Sequence, residues 1–174
     1  MDGATAHDGI PGMSRPQAAM KNDAIEAAVV LAADVGGTHA RVGLLNARPK
    51  RVPPVDLLAC QTYECAKWPG LAEILEDFLA RHANHHRGIA RCALAVAGYL
   101  RGDELVAENL RWPVRISELR TRLNLDRLDI INDFEALACG TGFLSARDSI
   151  AVIEAGGAPG PTVVVGPGTG LGCA

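Results

Sequence analysis

The sequence predicts an α/β domain in which helices flank a mixed β-sheet. Short, continuous apolar runs such as Ala27–Asp34 and Arg91–Ala97 are typical of strands that are buried on both faces. Between them, Leu71–His82 repeats its apolar side chains at helical spacing and predicts an amphipathic helix. The order of these elements along the chain favours a mixed sheet whose first three strands are neighbours.

The opening strand is predicted to form a hairpin with Ala40–Asn46 through the tight turn Gly36-Gly37-Thr38. Val55–Tyr63 is predicted to be the third strand, and Ser117 is expected to cap a short helix. The remaining predicted elements are the strand Leu128–Asn132, a helix over Asp133–Gly140 and the strand Thr162–Val165.

Residues 1–25 contain Gly, Pro, Ser, Asp and Ala without hydrophobic periodicity, so we expect them to form a flexible extension. Residues 26–161 contain the predicted strands and helices that precede the last strand. We therefore expect this part of the chain to form one small domain with its own core.

Composition argues against several classes of partner. The net charge of −3 gives no reason to expect a nucleic-acid partner, and no apolar stretch approaches the ~20 residues needed to cross a bilayer. The five cysteines are odd in number and form no disulfide framework, which predicts reduced thiols in a cytoplasmic protein. Cys60 and Cys65 lack the second pair that would complete a zinc site.

The first candidate site is the turn that follows the opening strand. Two adjacent glycines, Gly36 and Gly37, would let backbone amides approach a phosphate, and Thr38 adds a hydroxyl donor. Asp34, at the end of the strand, could hold Mg²⁺ directly or through water. The same residues, taken alone, are also compatible with an ordinary hairpin turn.

The second candidate is the junction of the strand Leu128–Asn132 with the helix that follows it. Ligands of open α/β sheets bind outside the carboxyl ends of strands. Asp133 at this position could act as a general base on a substrate hydroxyl, and Asn132 could bind a neighbouring hydroxyl. An aspartate that only caps the helix would give the same pattern.

The third candidate is the glycine-rich stretch Gly166–Gly172, which follows the last predicted strand. Such a turn is a phosphate cradle in principle. A flexible segment has a similar composition, so this stretch carries little weight alone.

The three motifs in this order are far more specific than each alone. Asp34–Thr38, then Ile131-Asn132-Asp133-Phe134, then Gly166–Gly172 resemble the bacterial glucokinase family of the hexokinase-like and actin-like ATPase superfamily. The resemblance extends from about Val29 to Ala174 and includes Glu108–Trp112, which is similar to the Thr-Asn-x-x-Trp segment of the family. It implies a ribonuclease-H-like, actin-type domain and ATP-dependent phosphorylation of glucose to glucose 6-phosphate in glycolysis.

The resemblance implies a role for each motif. Asp133 would take the proton from the sugar 6-hydroxyl, Asn132 would bind the sugar, and Asn109 would lie near the sugar cleft. The nucleotide phosphates, with Mg²⁺ held near Asp34 through water, would be lined by Ala33, Asp34, Val35, Gly36, Gly37 and Thr38. The second phosphate loop would consist of Gly168, Thr169, Gly170 and Gly172.

Two positions depart from the family pattern, since Ala33 replaces the usual Gly and His39 replaces a frequent Asn. Members of the family continue into a larger second domain that supplies further sugar ligands and the adenine pocket. We therefore expect residues 162–174 to begin that domain, and the chain to be an N-terminal half with little activity of its own. A homodimer is compatible with the resemblance, because members of the family are often dimers.

Three alternatives stay open at this point. The chain could be a non-catalytic relative that binds sugar or protein, although 1–23 is too short and polar for the DNA-binding motif that such relatives carry. It could be an actin-like ATPase without sugar chemistry, against which Ile131–Phe134 argues. The phosphoryl donor could be ADP or polyphosphate instead of ATP.

Overall fold

The computed structural model describes residues 28–48, 54–86, 88–144, 147–153, 160–167 and 171–174. The expected extension at 1–25 lies outside these residues. The helices are α1 (Leu71–Arg81), α2 (Ile116–Arg122) and α3 (Asp133–Thr141), with 3-10 turns at Cys65–Lys67 and Ala83–His85. The strands are β1 (Ala28–Val35), β2 (His39–Ala47), β3 (Val55–Glu64), β4 (Arg91–Val96), β5 (Tyr99–Arg101), β6 (Glu104–Val106), β7 (Val114–Arg115), β8 (Arg127–Asn132), β9 (Val165–Pro167) and β10 (Leu171–Cys173).

The main sheet has five strands in the order β3-β2-β1-β4-β8. Strands β1, β2 and β3 are antiparallel neighbours, whereas β1, β4 and β8 run parallel. This arrangement confirms the predicted mixed sheet that opens with three adjacent strands. Val35 pairs with Val96, which pairs with Asn132, so β1, β4 and β8 end side by side at one edge.

The core lies between one face of this sheet and α1. Leu31, Val42 and Leu94 point from β1, β2 and β4 into this layer and are fully buried. Helix α1 contributes Ile74 and Phe78, which are also fully buried. Burial of each such side chain stabilises the fold by about 1.5–3 kcal/mol, so the apolar face of α1, which was predicted at 71–82, contributes to holding this side of the sheet.

The opposite face of the sheet is built from small residues. Gly43 pairs with Ala32, and Ala32 pairs with Ala93, so three adjacent strands present little side-chain bulk. Ala136 of α3 lines a concavity on this face together with Ala32 and Ala95. The helices therefore lie on both faces of the sheet, as predicted.

Two details of the predicted elements are wrong. Ser117 lies inside α2 and does not cap it, because the helix begins at Ile116 and the residue before it makes no side-chain cap. Instead, Asp103 accepts hydrogen bonds from the Ser117 amide and hydroxyl. The strand predicted at 162–165 is observed at Val165–Pro167, where it pairs with β10.

The sequence prediction also missed the three-stranded sheet β5-β6-β7. Its strands have only two or three residues each, too few for a hydrophobic period to be visible. Among the described residues, no helix is long and apolar enough to cross a membrane.

Candidate functional site

A cleft of about 650 Å³ opens at the edge where β1, β4 and β8 end. Its lining comes from five segments of the chain: the β1–β2 turn, Ala97 after β4, the β6–β7 loop, the end of β8 with the start of α3, and the β9–β10 hairpin. Six of the predicted site residues meet there: Gly36, Gly37, Asn109, Asn132, Asp133 and Gly172. The parallel register of β1, β4 and β8 explains why the β1–β2 turn lies near Asn132 and Asp133, because it brings the ends of these strands together.

The β1–β2 turn is held by a hydrogen bond within the turn and by contacts with Cys65. The Gly36 amide donates to the His39 carbonyl at 3.0 Å, which leaves the Gly37 and Thr38 amides as the candidate phosphate donors. Cys65 is fully buried against this turn, where its amide donates to the Thr38 carbonyl at 2.9 Å and its thiol lies 3.4 Å from the Gly36 carbonyl. Burial raises the pKa of Cys65, so the thiol stays protonated and can donate.

The supporting role of Cys65 was missed by the sequence reading. From the sequence, Cys65 was considered only as a possible metal ligand together with Cys60, which is exposed in the structure. Among the described residues, no group of three or more His, Cys, Asp or Glu is placed to hold a metal ion.

Asn109 reaches the cleft because its loop lies against the turn. A Cβ added to Gly37 would stand 2.5 Å from the Asn109 carbonyl oxygen, so only glycine permits this approach. The loop is also tied down at Trp112, whose indole Nε1 donates to the Trp68 carbonyl at 3.0 Å. The ring of Trp68 in turn packs edge-on against Tyr63, with ring centroids 5.4 Å apart.

Asn132 and Asp133 share the amide that follows them. Asn132 is the N-cap of α3, and its Oδ1 accepts from the Phe134 amide at 2.9 Å and from the Glu135 amide at 3.4 Å. Asp133 Oδ1 accepts from the same Phe134 amide at 2.9 Å. The oxygen of Asn132 is thus occupied by capping, and its amide NH₂ is the group left to bind a ligand. Asp133 retains Oδ2 as a proton acceptor.

The remaining predicted residues of β1 and its turn point in different directions. Ala33 and Val35 are buried in the core, so their side chains do not reach the cleft. The Asp34 side chain is 56% exposed and lies 3.4 Å from Arg41. Asp34 and Asp133 together line a smaller depression of about 330 Å³. Thr38 is exposed on the turn.

The β9–β10 hairpin brings the glycine-rich stretch to the cleft. Gly166 pairs with Gly172, and both line the cleft together with Pro167 and Leu171. The predicted phosphate-loop residues Gly168, Thr169 and Gly170 lie outside the described residues. That these three residues bind phosphate therefore stays a prediction, and the residues on either side of them belong to the strands β9 and β10.

Comparison with known proteins places these features in context. The family model for Glucokinase matches residues 31–174. A glucokinase-like protein of Xylella fastidiosa is 41% identical over 146 residues, which cover 83% of this chain and 42% of that protein. A glucokinase of Paramagnetospirillum magneticum is 39% identical over 149 residues, covering 83% and 43%. The chain therefore spans less than half the length of the curated relatives it matches.

Solved structures agree with the sequence comparisons. The crystal structure of a glucokinase from an Antarctic psychrotroph superposes with a TM-score of 0.71 at 31% identity, covering 83% of this chain and 45% of that one. A ROK family glucokinase from Streptomyces griseus, solved with glucose and AMPPNP, gives a TM-score of 0.55 at 20% identity, covering 83% and 43%, and shows the fold. These matches confirm the predicted ribonuclease-H-like, actin-type domain.

Proposed function

Because this chain belongs to the Glucokinase family, we propose that it supplies the base and the acceptor-binding face of an enzyme that transfers phosphate from ATP to glucose. The product is glucose 6-phosphate, and the reaction opens glycolysis. The observation that carries this proposal is the meeting of Asp133, Asn132 and Asn109 with the Gly36–Gly37 turn in one cleft. An acceptor site and a candidate phosphate turn then face the same space.

Each residue has one chemical task in the proposed reaction. Asp133 Oδ2 takes the proton of the sugar 6-hydroxyl while the oxygen of that hydroxyl forms a bond to the γ-phosphorus of ATP. The bond from that phosphorus to the bridging oxygen breaks, and ADP leaves. The Asn132 NH₂ orients the sugar, and the Gly37 and Thr38 amides stabilise phosphate charge. Asn109 closes the sugar side of the cleft.

Asp34 fits a role with Mg²⁺. Mg²⁺ in phosphoryl-transfer sites keeps several waters and is held by one or two carboxylates together with substrate phosphates. Asp34 offers an exposed carboxylate in a depression that it shares with Asp133. One carboxylate, together with waters and the phosphates of ATP, would be enough to hold Mg²⁺ there. When bound, the ion neutralises charge on the transferred phosphate.

The proposal extends to the context of the chain. We propose that 162–174 begin a second domain, since β9 and β10 form a separate two-stranded sheet and such sheets are marginal alone. The remaining sugar ligands and the adenine pocket are then expected in the part of the relatives that this chain does not span. We also propose a cytoplasmic location and leave a homodimer as a prediction. By itself the chain is expected to turn over little glucose, because half a cleft cannot position both substrates.

The test uses a joined enzyme, in which this chain is fused to the part of the Paramagnetospirillum magneticum glucokinase that it does not span. That glucokinase itself is the positive control, and the unfused chain is the comparison. We expect the joined enzyme, and not the unfused chain, to form glucose 6-phosphate from glucose and ATP. A well-folded joined enzyme without activity towards glucose and other hexoses, tested with ATP, ADP and polyphosphate, would contradict the proposal and favour a binding role.

A further inference from the structure

Phe134 lines the cleft next to Asn132 and Asp133, and its ring lies against the β9–β10 hairpin. Phe134 belongs to the first turn of α3. A Cβ added to Gly166 would stand 2.6 Å from the ring, and one added to Gly172 would stand closer still. The ring therefore occupies the space that side chains at these two positions would need.

The two glycines form a matched surface for this ring. Gly172 pairs directly with Gly166 across the hairpin, so both residues present the same face. That face is bare of side chains at this one pair. A substitution at either glycine would push the ring away from the hairpin or the hairpin away from α3.

The backbone of Phe134 makes the second connection. Its amide donates to Asn132 Oδ1 and to Asp133 Oδ1, both at 2.9 Å. A displacement of the ring moves this amide, and the amide orients both side chains. Three covalent bonds of Phe134 and one hydrogen bond thus separate the ring from each of the side chains proposed to bind and deprotonate the sugar.

We propose that Phe134 is a positioning residue through which the glycine hairpin sets the orientation of Asn132 and Asp133. The inference rests on the proposed function only for the roles of those two side chains. Docking of the hairpin on the ring fixes the base, and loss of docking releases it. The phosphate side and the sugar side of the cleft are thereby assembled together.

The first experiment needs no catalytic activity. In ¹⁵N–¹H spectra of the whole 174-residue chain, we follow the Asn132 side-chain amide and the hydrogen exchange of the Phe134 amide. The variants are Gly172→Ala and Phe134→Leu, and Phe143→Leu is the matched control, since Phe143 is half-exposed just beyond the end of α3. We expect Gly172→Ala and Phe134→Leu to shift the Asn132 resonance and speed exchange at Phe134, and Phe143→Leu to do neither.

The double variant Phe134→Leu/Gly172→Ala separates positioning from simple damage. A smaller side chain at 134 leaves room for the added methyl, so the two effects should combine to less than their sum. If Gly172→Ala does not fold, Gly166→Ala applies a milder push to the same ring. An unchanged Asn132 resonance in a folded glycine variant, or strictly additive effects, would overturn the proposal.

The second experiment uses the joined enzyme. Phe134→Leu is expected to lower kcat by between about tenfold and a hundredfold, the range that misplacement of a catalytic group produces, with a smaller change in KM for ATP. A kcat within twofold of the parent would overturn the proposal. If the spectra respond as expected and the parent joined enzyme is inactive, the positioning role stands and the proposed function fails.

Discussion

The backbone of Gly37 lies directly against Asn109, which is 72 residues further along the chain, so that a Cβ at position 37 would stand 2.5 Å from the Asn109 carbonyl oxygen. Glycine at this position is therefore needed for packing against Asn109, in addition to any role in binding a phosphate. It lets the loop that carries Asn109 close over the turn.

Gly37→Ala is expected to displace that loop. Overpacking of this kind costs about 1–3 kcal/mol, and the joined enzyme should show a lower unfolding midpoint and a higher KM for glucose. Gly36→Ala is the matched control, because its Cβ would lie 3.5 Å from the His39 carbonyl, an ordinary contact. Equal effects of the two variants would contradict the assigned role of the Asn109 loop.

Gly37→Val tests the turn as a phosphate site. The branched side chain would crowd the space beside the Gly37 and Thr38 amides, so ATP affinity should fall. Binding is measured by calorimetry with the joined enzyme at constant Mg²⁺. Unchanged ATP affinity would show that Gly36–Thr38 is only a hairpin turn.

Asn132 is expected to have two separable tasks. Asn132→Ala removes the cap of α3 and should cost about 1 kcal/mol of stability, whereas Asn132→Ser keeps a capping oxygen. Both substitutions remove the NH₂ that is proposed to bind the sugar. Chemical denaturation should therefore distinguish the two variants, and KM for glucose should rise in both. A glucose KM preserved in Asn132→Ser would limit Asn132 to capping.

Asp133→Asn is expected to lower kcat of the joined enzyme by about 10²–10⁴-fold, the usual contribution of a general base. Nucleotide binding should be preserved, since the side-chain oxygen can still accept from the Phe134 amide. Glu135→Gln, an exposed carboxylate in the same helical turn, is the control. Turnover within tenfold of the parent would remove Asp133 from the role of base.

Arg122 should stabilise the fold in a pH-dependent way. It joins α2 to α1 through Glu73 at 2.6 Å and Glu76 at 2.7 Å, and the hydrogen bond from Arg122 lowers the pKa of Glu73 below its ordinary value of 4.5. A lowered carboxyl pKa stabilises the folded state above pH 4.5, and this contribution is lost as the pH falls through the folded-state pKa.

Urea unfolding of Arg122→Met should therefore show a clear loss of stability at pH 7 and a smaller loss at pH 3. Arg101→Met is the control, because Arg101 is exposed and lies 3.8 Å from Glu104. A loss that is the same at both pH values would assign the effect to side-chain packing instead of charge.

Much of the fold could be predicted from periodicity. The strands β1, β2, β4 and β8 and the helix α1 were predicted within a residue or two, because the sequence of each contains a continuous run or a regular stripe of apolar residues. The short strands β5, β6 and β7 were missed, since each is defined by pairing with a neighbour and not by its own pattern.

The sequence by itself determined the family, the order of the motifs and the residue types available for chemistry at Asn132 and Asp133. Only the tertiary structure decided how those groups are used. In the structure, the side-chain oxygen of Asn132 accepts hydrogen bonds from the first turn of α3, and Cys65 is buried against the β1–β2 turn. The ring of Phe134 packs against Gly166 and Gly172. The physical reason is that local propensity is written in neighbouring residues, whereas close contacts between distant segments depend on strand register and on which atoms fill the space between them.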